Sequence, residues 1–358
     1  MAQNDYAILV GISRYADVDL HPLDGPLNDV RIMHEWLRNE QGVPEGNIKE
    51  IISNVTSPPA VADDDFPPLM QDYVKTFLGI MRKDKNSYVR RDDGRLYLYF
   101  SGHGFSEKND SSPHAALYVG NTFIKTGPQW NIYGTAFANW AKNHGLFKEV
   151  VLIMDCCRDA EITKVPSPPP LPVSVNIGAR IEVKLFQLYA APLGGKAQER
   201  PIPSRRNEVH GLLTHAFLDA VKYAASGSDQ VKTADIKSYL EEQWGALCGG
   251  QYADKPITVI PDNGEIRFKR GEITAPSQRF KLKTLKSGDT FEILNQKLET
   301  IAHVTIGNTQ AEIECNNEKK NCPIENGVFS IPLFPSFYKV LGNTLRKEFQ
   351  AGGDDVEL

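Results

Sequence analysis

The stretch Val150–Ala160, V-V-L-I-M-D-C-C-R-D-A, constrains this chain more than any other. Its first five residues, preceded by Glu149, form an unbroken apolar run. That length suits a strand buried on both faces of a parallel sheet and is far too short to cross a bilayer. An acid, two thiols and a guanidinium follow at once. Asp155, Cys156, Cys157 and Arg158 therefore stand where a buried strand delivers its last residues to the surface, the end at which open α/β sheets bind ligands.

A second stretch is built the same way. Arg95–Phe100 (R-L-Y-L-Y-F) is apolar and aromatic and ends in Ser101, Gly102, His103 and Gly104, two glycines bracketing an imidazole. Two parallel strands ending together would bring His103 beside Cys157. A cysteine nucleophile needs such a partner, because the thiolate is the reactive form and a base or imidazolium raises its population.

The remaining elements fit around these two. Asp5–Ser13 reads as a first buried strand, and a helix starts near Pro26, with Val30, Met33, Trp36 and Leu37 on its inner face. Ile48–Ser53 is a second strand, and Leu69, Tyr73, Phe77 and Met81 mark a second helix. Tyr133, Phe137 and Trp140 place a third helix between the two active strands. The order β-α-β-α-β-α-β predicts a mostly parallel sheet with helices on both faces. Beyond the cysteines, Lys164–Pro172 (K-V-P-S-P-P-P-L-P) cannot be a central strand or a helix and is expected as an exposed extended loop, part of a flexible region over about 159–183. Lys184–Ala191 resumes a strand, a basic loop spans about 194–210, and helices follow around Leu213–Ala220 and from Thr233.

From about residue 273 the pattern changes to short candidate strands at Arg279–Leu285, Asp289–Leu294, His303–Ile306, Ala311–Glu314, Val328–Leu333 and Tyr338–Leu341. The expected organisation is an α/β domain over 1–272 and a small all-β domain, a sandwich, over 273–358. No catalytic constellation falls in the second, so docking or regulation is its expected role.

Composition adds bounds. A net charge of −5 gives no case for nucleic acid or an anionic membrane as partner. The start M-A-Q-N-D-Y lacks a basic segment followed by an apolar core, which points to a cytoplasmic protein. Five cysteines, an odd number with two adjacent, suit a reducing compartment; Cys315 and Cys322 read as free thiols, with a pairing across a hairpin as the alternative. Leu193–Lys196 (L-G-G-K) lacks the first glycine and the trailing Ser or Thr of a phosphate loop. Adjacent cysteines are also not the C-x-x-C arrangement of redox sites. His21, His34, His114, His144, His210, His215 and His303 show no metal-ligand spacing, so no metal or other cofactor is expected. Calcium activation has no recognisable loop in the acidic runs Asp63–Asp65 and Asp92–Asp93.

The S-G-H-G at Ser101–Gly104 and the D-C-C at Asp155–Cys157, each closing an apolar strand, with His first and 54 residues between His103 and Cys157 (157 − 103), resemble the caspase-like cysteine peptidases, on the metacaspase and prokaryotic caspase side. The chain departs from that pattern at Arg158-Asp159-Ala160, where many metacaspases carry H-S-G, and the resemblance spans about Asp5 to Lys269. It implies Cys157 as nucleophile, His103 as general base or as the imidazolium of an ion pair, and the backbone N–H groups of Gly104 and Cys157 as oxyanion donors. Glycine at 104 is expected to let the backbone approach the substrate, and Cys156 to have a packing or supporting role. Asp155 stands where animal caspases have Gln. Asp29, in G-P-L-N-D, matches an acid of the metacaspase G-C-x-N-D segment, the alternative being an ordinary carboxylate near a helix N-terminus.

Two carboxylates in a pocket favour a cation, one close pair being worth roughly 4 kcal/mol at an effective dielectric of about 20. Cleavage after Arg, or Lys, is therefore expected, with aspartate rejected. Protein substrates are the expected partners, together with an activating protease or regulatory protein. Lys164, Arg180, Lys196, Arg200, Arg205 and Arg206 are then candidate processing sites of a zymogen. Stress or defence signalling is the implied setting. A catalytically silent scaffold of the same fold, binding partners through its β domain, is the competing reading.

Overall fold

The computed structural model describes the chain except residues 1–2, 54–64, 85–86, 108–111, 126, 162–164, 174–181, 203–204, 206, 225–228, 249–252, 271–276, 296–297, 299, 316–317, 334–336, 344 and 352–354. Contacts divide it into two compact units. One comprises Met1–Ile202, Glu208–Glu242 and Ala253–Gly271, and the other Pro203–Asn207, Gln243–Tyr252 and Glu272–Leu358.

In the first unit the chain runs β1 (Tyr6–Gly11), α1 (Gly25–Trp36), β2 (Ile48–Ile52), α2 (Met70–Met81), β3 (Arg91–Gly102), β4 (Gly104–Glu107), β5 (Ala116–Tyr118), β6 (Asn131–Ile132), α3 (Gly134–His144), β7 (Phe147–Cys156), β8 (Asp159–Glu161), β9 (Lys184–Tyr189), β10 (Glu199–Ile202), β11 (Glu208–Gly211), α4 (Leu212–Tyr223), β12 (Gln230–Lys232), α5 (Thr233–Leu247, counted in this unit as far as Glu242), β13 (Ile257–Val259) and β14 (Arg267–Lys269). The apolar strands assemble in the order β13-β9-β7-β3-β1-β2. All neighbours are parallel except β13, which runs antiparallel to β9 at the edge.

Period-two geometry explains why the central strands are apolar throughout: alternate residues face opposite layers, and both layers are covered. On β3, Leu96, Leu98 and Phe100 join the core that contains Tyr73 and Phe77 of α2 and Phe137 of α3. The intervening residues look the other way. Tyr97 meets Trp36 of α1 edge-on at 5.9 Å, and Tyr99 shares a 2.6 Å hydrogen bond with Thr214 of α4. Helices thus lie on both faces, as an α/β fold requires. Among the described residues no helix is long and apolar enough to cross a membrane.

Two segments differ from expectation. The proline tract carries neither helix nor strand over the described residues 165–173, but it is tied down: Trp140 Nε1 donates to the Pro172 carbonyl at 2.8 Å, Ser167 N donates to Asn131 Oδ1 at 3.0 Å, and Leu171 packs against the main core. Proline supplies no N–H, so α3 and β6 hold the tract through its carbonyls and its few other residues. The segment expected as a basic loop contains a two-stranded antiparallel pair, β10 with β11, in which Arg200 lies opposite His210. Its Glu199, Pro201 and Glu208 hide the strand signal, glutamate and proline being depleted in strands.

In the second unit β15 (Ser277–Lys281), β16 (Thr290–Leu294), β17 (Thr300–Ile306), β18 (Gln310–Cys315), β19 (Glu318–Pro323), β20 (Val328–Pro332), β21 (Phe337–Gly342), β22 (Arg346–Gln350) and β23 (Val356–Glu357) form a three-stranded sheet, β20-β15-β23, and a six-stranded one, β19-β18-β17-β16-β21-β22. Phe280 of β15 stacks on Phe329 and meets Phe349 of β22 edge-on, both at 5.4 Å, so side chains of the two sheets share one core. Strands β19 and β22 escaped the sequence reading because they are the edges of the larger sheet. Their Lys319, Lys320, Lys347 and Glu348 carry charge, which blunts edge pairing and removes the apolar signal. Cys322 lies opposite Ala311 and Cys315 opposite Glu318, so the two thiols are not cross-strand partners, and both are free.

Leu152 is fully buried in the middle of β7. Leu152→Ala should cost roughly 2–5 kcal/mol, read as a lower urea midpoint with an unchanged slope.

Candidate active site

Strand register assembles the site. Ser101 of β3 lies between Gly11 of β1 and Asp155 of β7, and Gly102 lies beside Cys156. His103 and Cys157 are each the first residue beyond these paired positions. They line one cavity of about 100 Å³ together with Asp29, Ser101, Asp155 and Glu199.

Each member of the pair is held by a carbonyl. His103 Nε2–H donates to the His21 carbonyl at 2.8 Å, which leaves Nδ1 with the free lone pair of the neutral ring. The His103 backbone N–H donates to the Tyr15 hydroxyl at 2.8 Å, that hydroxyl donates to the Ile12 carbonyl at 3.0 Å, and the Tyr15 ring lies 5.2 Å from the imidazole. Burial holds the His103 pKa below its ordinary value of 6.5. The Cys157 thiol is directed at the Ala197 carbonyl, 3.8 Å away. Burial first, and the negative charge of Asp159 second, push its pKa up to about 11. Both groups are therefore neutral near neutral pH, and the structure holds the pair as thiol and imidazole rather than as ions.

The residues flanking the thiol have structural work. Cys156 is buried, and a Cβ placed on Gly104 would come within 2.6 Å of its Sγ and 2.7 Å of the Ala116 carbonyl. Glycine at 104 is thus required by close packing on Cys156, a reason other than the substrate approach expected from sequence. Arg158 is also buried. It donates from Nε to the His114 carbonyl at 2.8 Å and from Nη1 to the Ala191 carbonyl at 3.2 Å, with its guanidinium 5.2 Å from the Tyr189 ring.

The two predicted acids meet at the inner end of the cavity. Asp155 is 4 % exposed and accepts from Thr214 N at 2.9 Å and Thr214 Oγ1 at 2.6 Å. Asp29 is wholly buried in α1. Its Oδ1 accepts from His210 Nδ1 at 3.0 Å, its Oδ2 from Ser101 Oγ at 3.0 Å, and Gly211 N lies 3.1 Å from both. A Cβ on Gly211 would sit 2.2 Å from Asp155 Oδ2 and 2.8 Å from Asp29 Oδ2, so only glycine lets both carboxylates close on the same point. Burial raises both pKa values. For Asp155, burial and the neighbouring Asp29 push it up to about 7, while for Asp29 burial outweighs the hydrogen bonds that favour its charged form.

Glu199, unremarked in the sequence, is a third acid lining the cavity. Its carboxylate accepts the backbone N–H groups of Asp24 at 3.1 Å and Gly25 at 2.8 Å, closing the N-terminus of α1 from a strand far along the chain. Tyr15, His21, His210 and Thr214 were likewise missed as site residues. The His-Gly pair directly before an apolar helix was the one visible signal, and it looks like an ordinary helix entry. Of the candidate processing residues, Lys196 is exposed, Arg200 lies in paired β10, and Arg205 is half-buried. Lys164, Arg180 and Arg206 lie outside the described residues.

The raised Asp155 pKa has a sign. Between its ordinary 3.8 and about 7 the folded chain holds a proton that the unfolded chain has released. The stabilisation is complete below the lower value and is lost as pH rises through about 7. Asp155→Asn should flatten this fall in unfolding free energy, measured by urea titrations from about pH 4 to about 8; an unchanged slope would contradict the assignment.

A search of curated proteins returned no match. Among solved structures, a structural-genomics target from Geobacter sulfurreducens aligns over 72 % of this chain and 93 % of its own at 9 % identity and a TM-score of 0.41, too loose a likeness to inform fold or function. The family model described as the caspase domain matches residues 4–242, two thirds of the chain and every residue of the cavity. With the strand order and the paired strand ends above, the chain belongs to the caspase-domain family of cysteine peptidases.

Proposed function

We propose that the protein is a cysteine endopeptidase that cleaves proteins after a basic residue, Arg before Lys. One observation carries the reading: His103 and Cys157 share a cavity with a buried carboxylate pair. In this mechanism the substrate carbonyl settles against the backbone N–H groups of Gly104 and Cys157. His103 Nδ1 takes the Cys157 proton as sulfur attacks, and the His21 carbonyl steadies the imidazolium through Nε2–H. The tetrahedral oxyanion draws on the two backbone donors. The imidazolium then protonates the leaving amine, and water hydrolyses the thioester with His103 again as base. The raised thiol and lowered imidazole pKa values support general-base activation at the moment of attack over a standing ion pair.

Asp29 and Asp155 receive the basic side chain, with Glu199 adding negative potential nearby. An aspartate at the same position would meet like charge. The β-rich second unit serves docking or regulation, and the enzyme is a regulated member of the metacaspase and prokaryotic caspase branch, acting on protein substrates in stress or defence signalling. Lys196 is the exposed basic residue among the described candidates for processing.

Fluorogenic peptides carrying Arg, Lys or Asp at the cleaved position test this. Turnover should follow Arg over Lys, with none after Asp, and should fall at least about 10³-fold in Cys157→Ala and about 10²–10⁴-fold in His103→Ala. Equal turnover of the Asp peptide would overturn the basic specificity while keeping the peptidase, and silence toward all three after limited proteolysis would favour the scaffold reading. The pH dependence is a second check. A guanidinium in the pocket displaces the proton that Asp155 carries, so inhibition by agmatine should tighten as pH rises and level off above about 7.

A further inference from the structure

Against Asp29 of the pocket lies a buried polar side chain whose presence stability does not explain. His210 of β11 is 0 % exposed, and its Nδ1–H donates to Asp29 Oδ1 at 3.0 Å. Its Nε2 makes no hydrogen bond among the described residues and comes no nearer than 3.6 Å to the Glu208 carboxylate. Glu208 is itself engaged by Arg31 of α1. A buried imidazole with half its hydrogen-bonding capacity unused is costly compared with an apolar residue of similar volume. What it does that leucine could not is direct a hydrogen bond onto Asp29.

That bond has a geometric effect. Asp29 Oδ1 takes His210, while Oδ2 takes Ser101 and lies beside Asp155 Oδ2 at the point vacated by the missing Gly211 side chain. Gly211 N is equidistant from both oxygens and so cannot choose between carboxylate rotations. His210 can. We infer that His210 is a positioning residue for the specificity pocket: it holds Asp29 rotated so that Oδ2 stands next to Asp155, and the paired oxygens together accept a guanidinium. The inference rests on reading this pocket as a cation site, and it adds a residue on a different strand that sets the strength of that site without touching the ligand.

The side-chain nitrogen of asparagine falls where histidine carries Nδ1, that of glutamine falls nearer Nε2, and leucine has neither. Agmatine, a guanidinium probe, would be titrated calorimetrically into Cys157→Ala protein carrying His210, His210→Asn, His210→Gln or His210→Leu, so that binding is read without turnover. Asn should keep the affinity within about threefold, and Gln and Leu should each lose about tenfold or more. Gln carries the comparison if the Leu variant does not fold. With Cys157 intact, the loss should appear in KM for an Arg peptide while kcat changes little, which a general loosening of the fold would not produce. Equal affinity in Gln and His210 proteins, an equal loss in Asn and Gln, or no binding by any of the four would overturn the inference. Agmatine binding that follows this order in a protein whose Cys157 form leaves Arg peptides uncut would instead defeat the peptidase reading and leave the role of His210 standing.

Discussion

Everything at the site depends on the in-register pairing of β3 and β7. Because Ser101 lies beside Asp155 and Gly102 beside Cys156, the two chains leave the sheet at the same level, and the next residue of each is the imidazole or the thiol. A slip of one residue would reverse which faces of the strands are covered and turn Asp155 away from Asp29. The apolar residues that enforce the register, Leu96–Phe100 against Val150–Met154, are therefore as necessary to the site as the polar residues that follow them.

His103 and Cys157 are each half-buried, and that partial burial shifts the balance of their charged and neutral forms. Burial pushes Cys157 up and His103 down, so each is neutral where it stands. The same burial raises Asp29 and Asp155, two acids that one glycine allows to approach. A cationic side chain entering there would meet groups that gain by ionising, which couples recognition to proton release.

Much of this was legible from residues alone. The two strands were visible because a strand covered on both faces must be apolar along its whole length, and the helices because their inner faces recur at helical spacing. Asp155 could be placed because it stands two residues before Cys157 at the end of the same strand. Other elements were hidden for physical reasons. The edge strands β19 and β22 carry charge to resist pairing, and β10 with β11 looks like a basic loop because glutamate and proline stand in its strands. The proline tract looks free because two of its anchors, the Pro172 carbonyl and the Ser167 N–H, are backbone groups that leave no mark in the sequence.

The sequence by itself determined which segments become buried strands and helices, and which thiol and imidazole stand at the strand ends. Both follow from periodicity and adjacency, which are local properties of the chain. Only the tertiary structure decided what surrounds them: the His21 carbonyl that selects the His103 tautomer, the Tyr15 hydroxyl under its backbone, and the convergence of Asp29, Asp155, Glu199 and His210 from four separate elements. Those arrangements depend on distances across the packed sheet and its helices, and residues up to 182 positions apart, such as Asp29 and Gly211, meet only when the layers close.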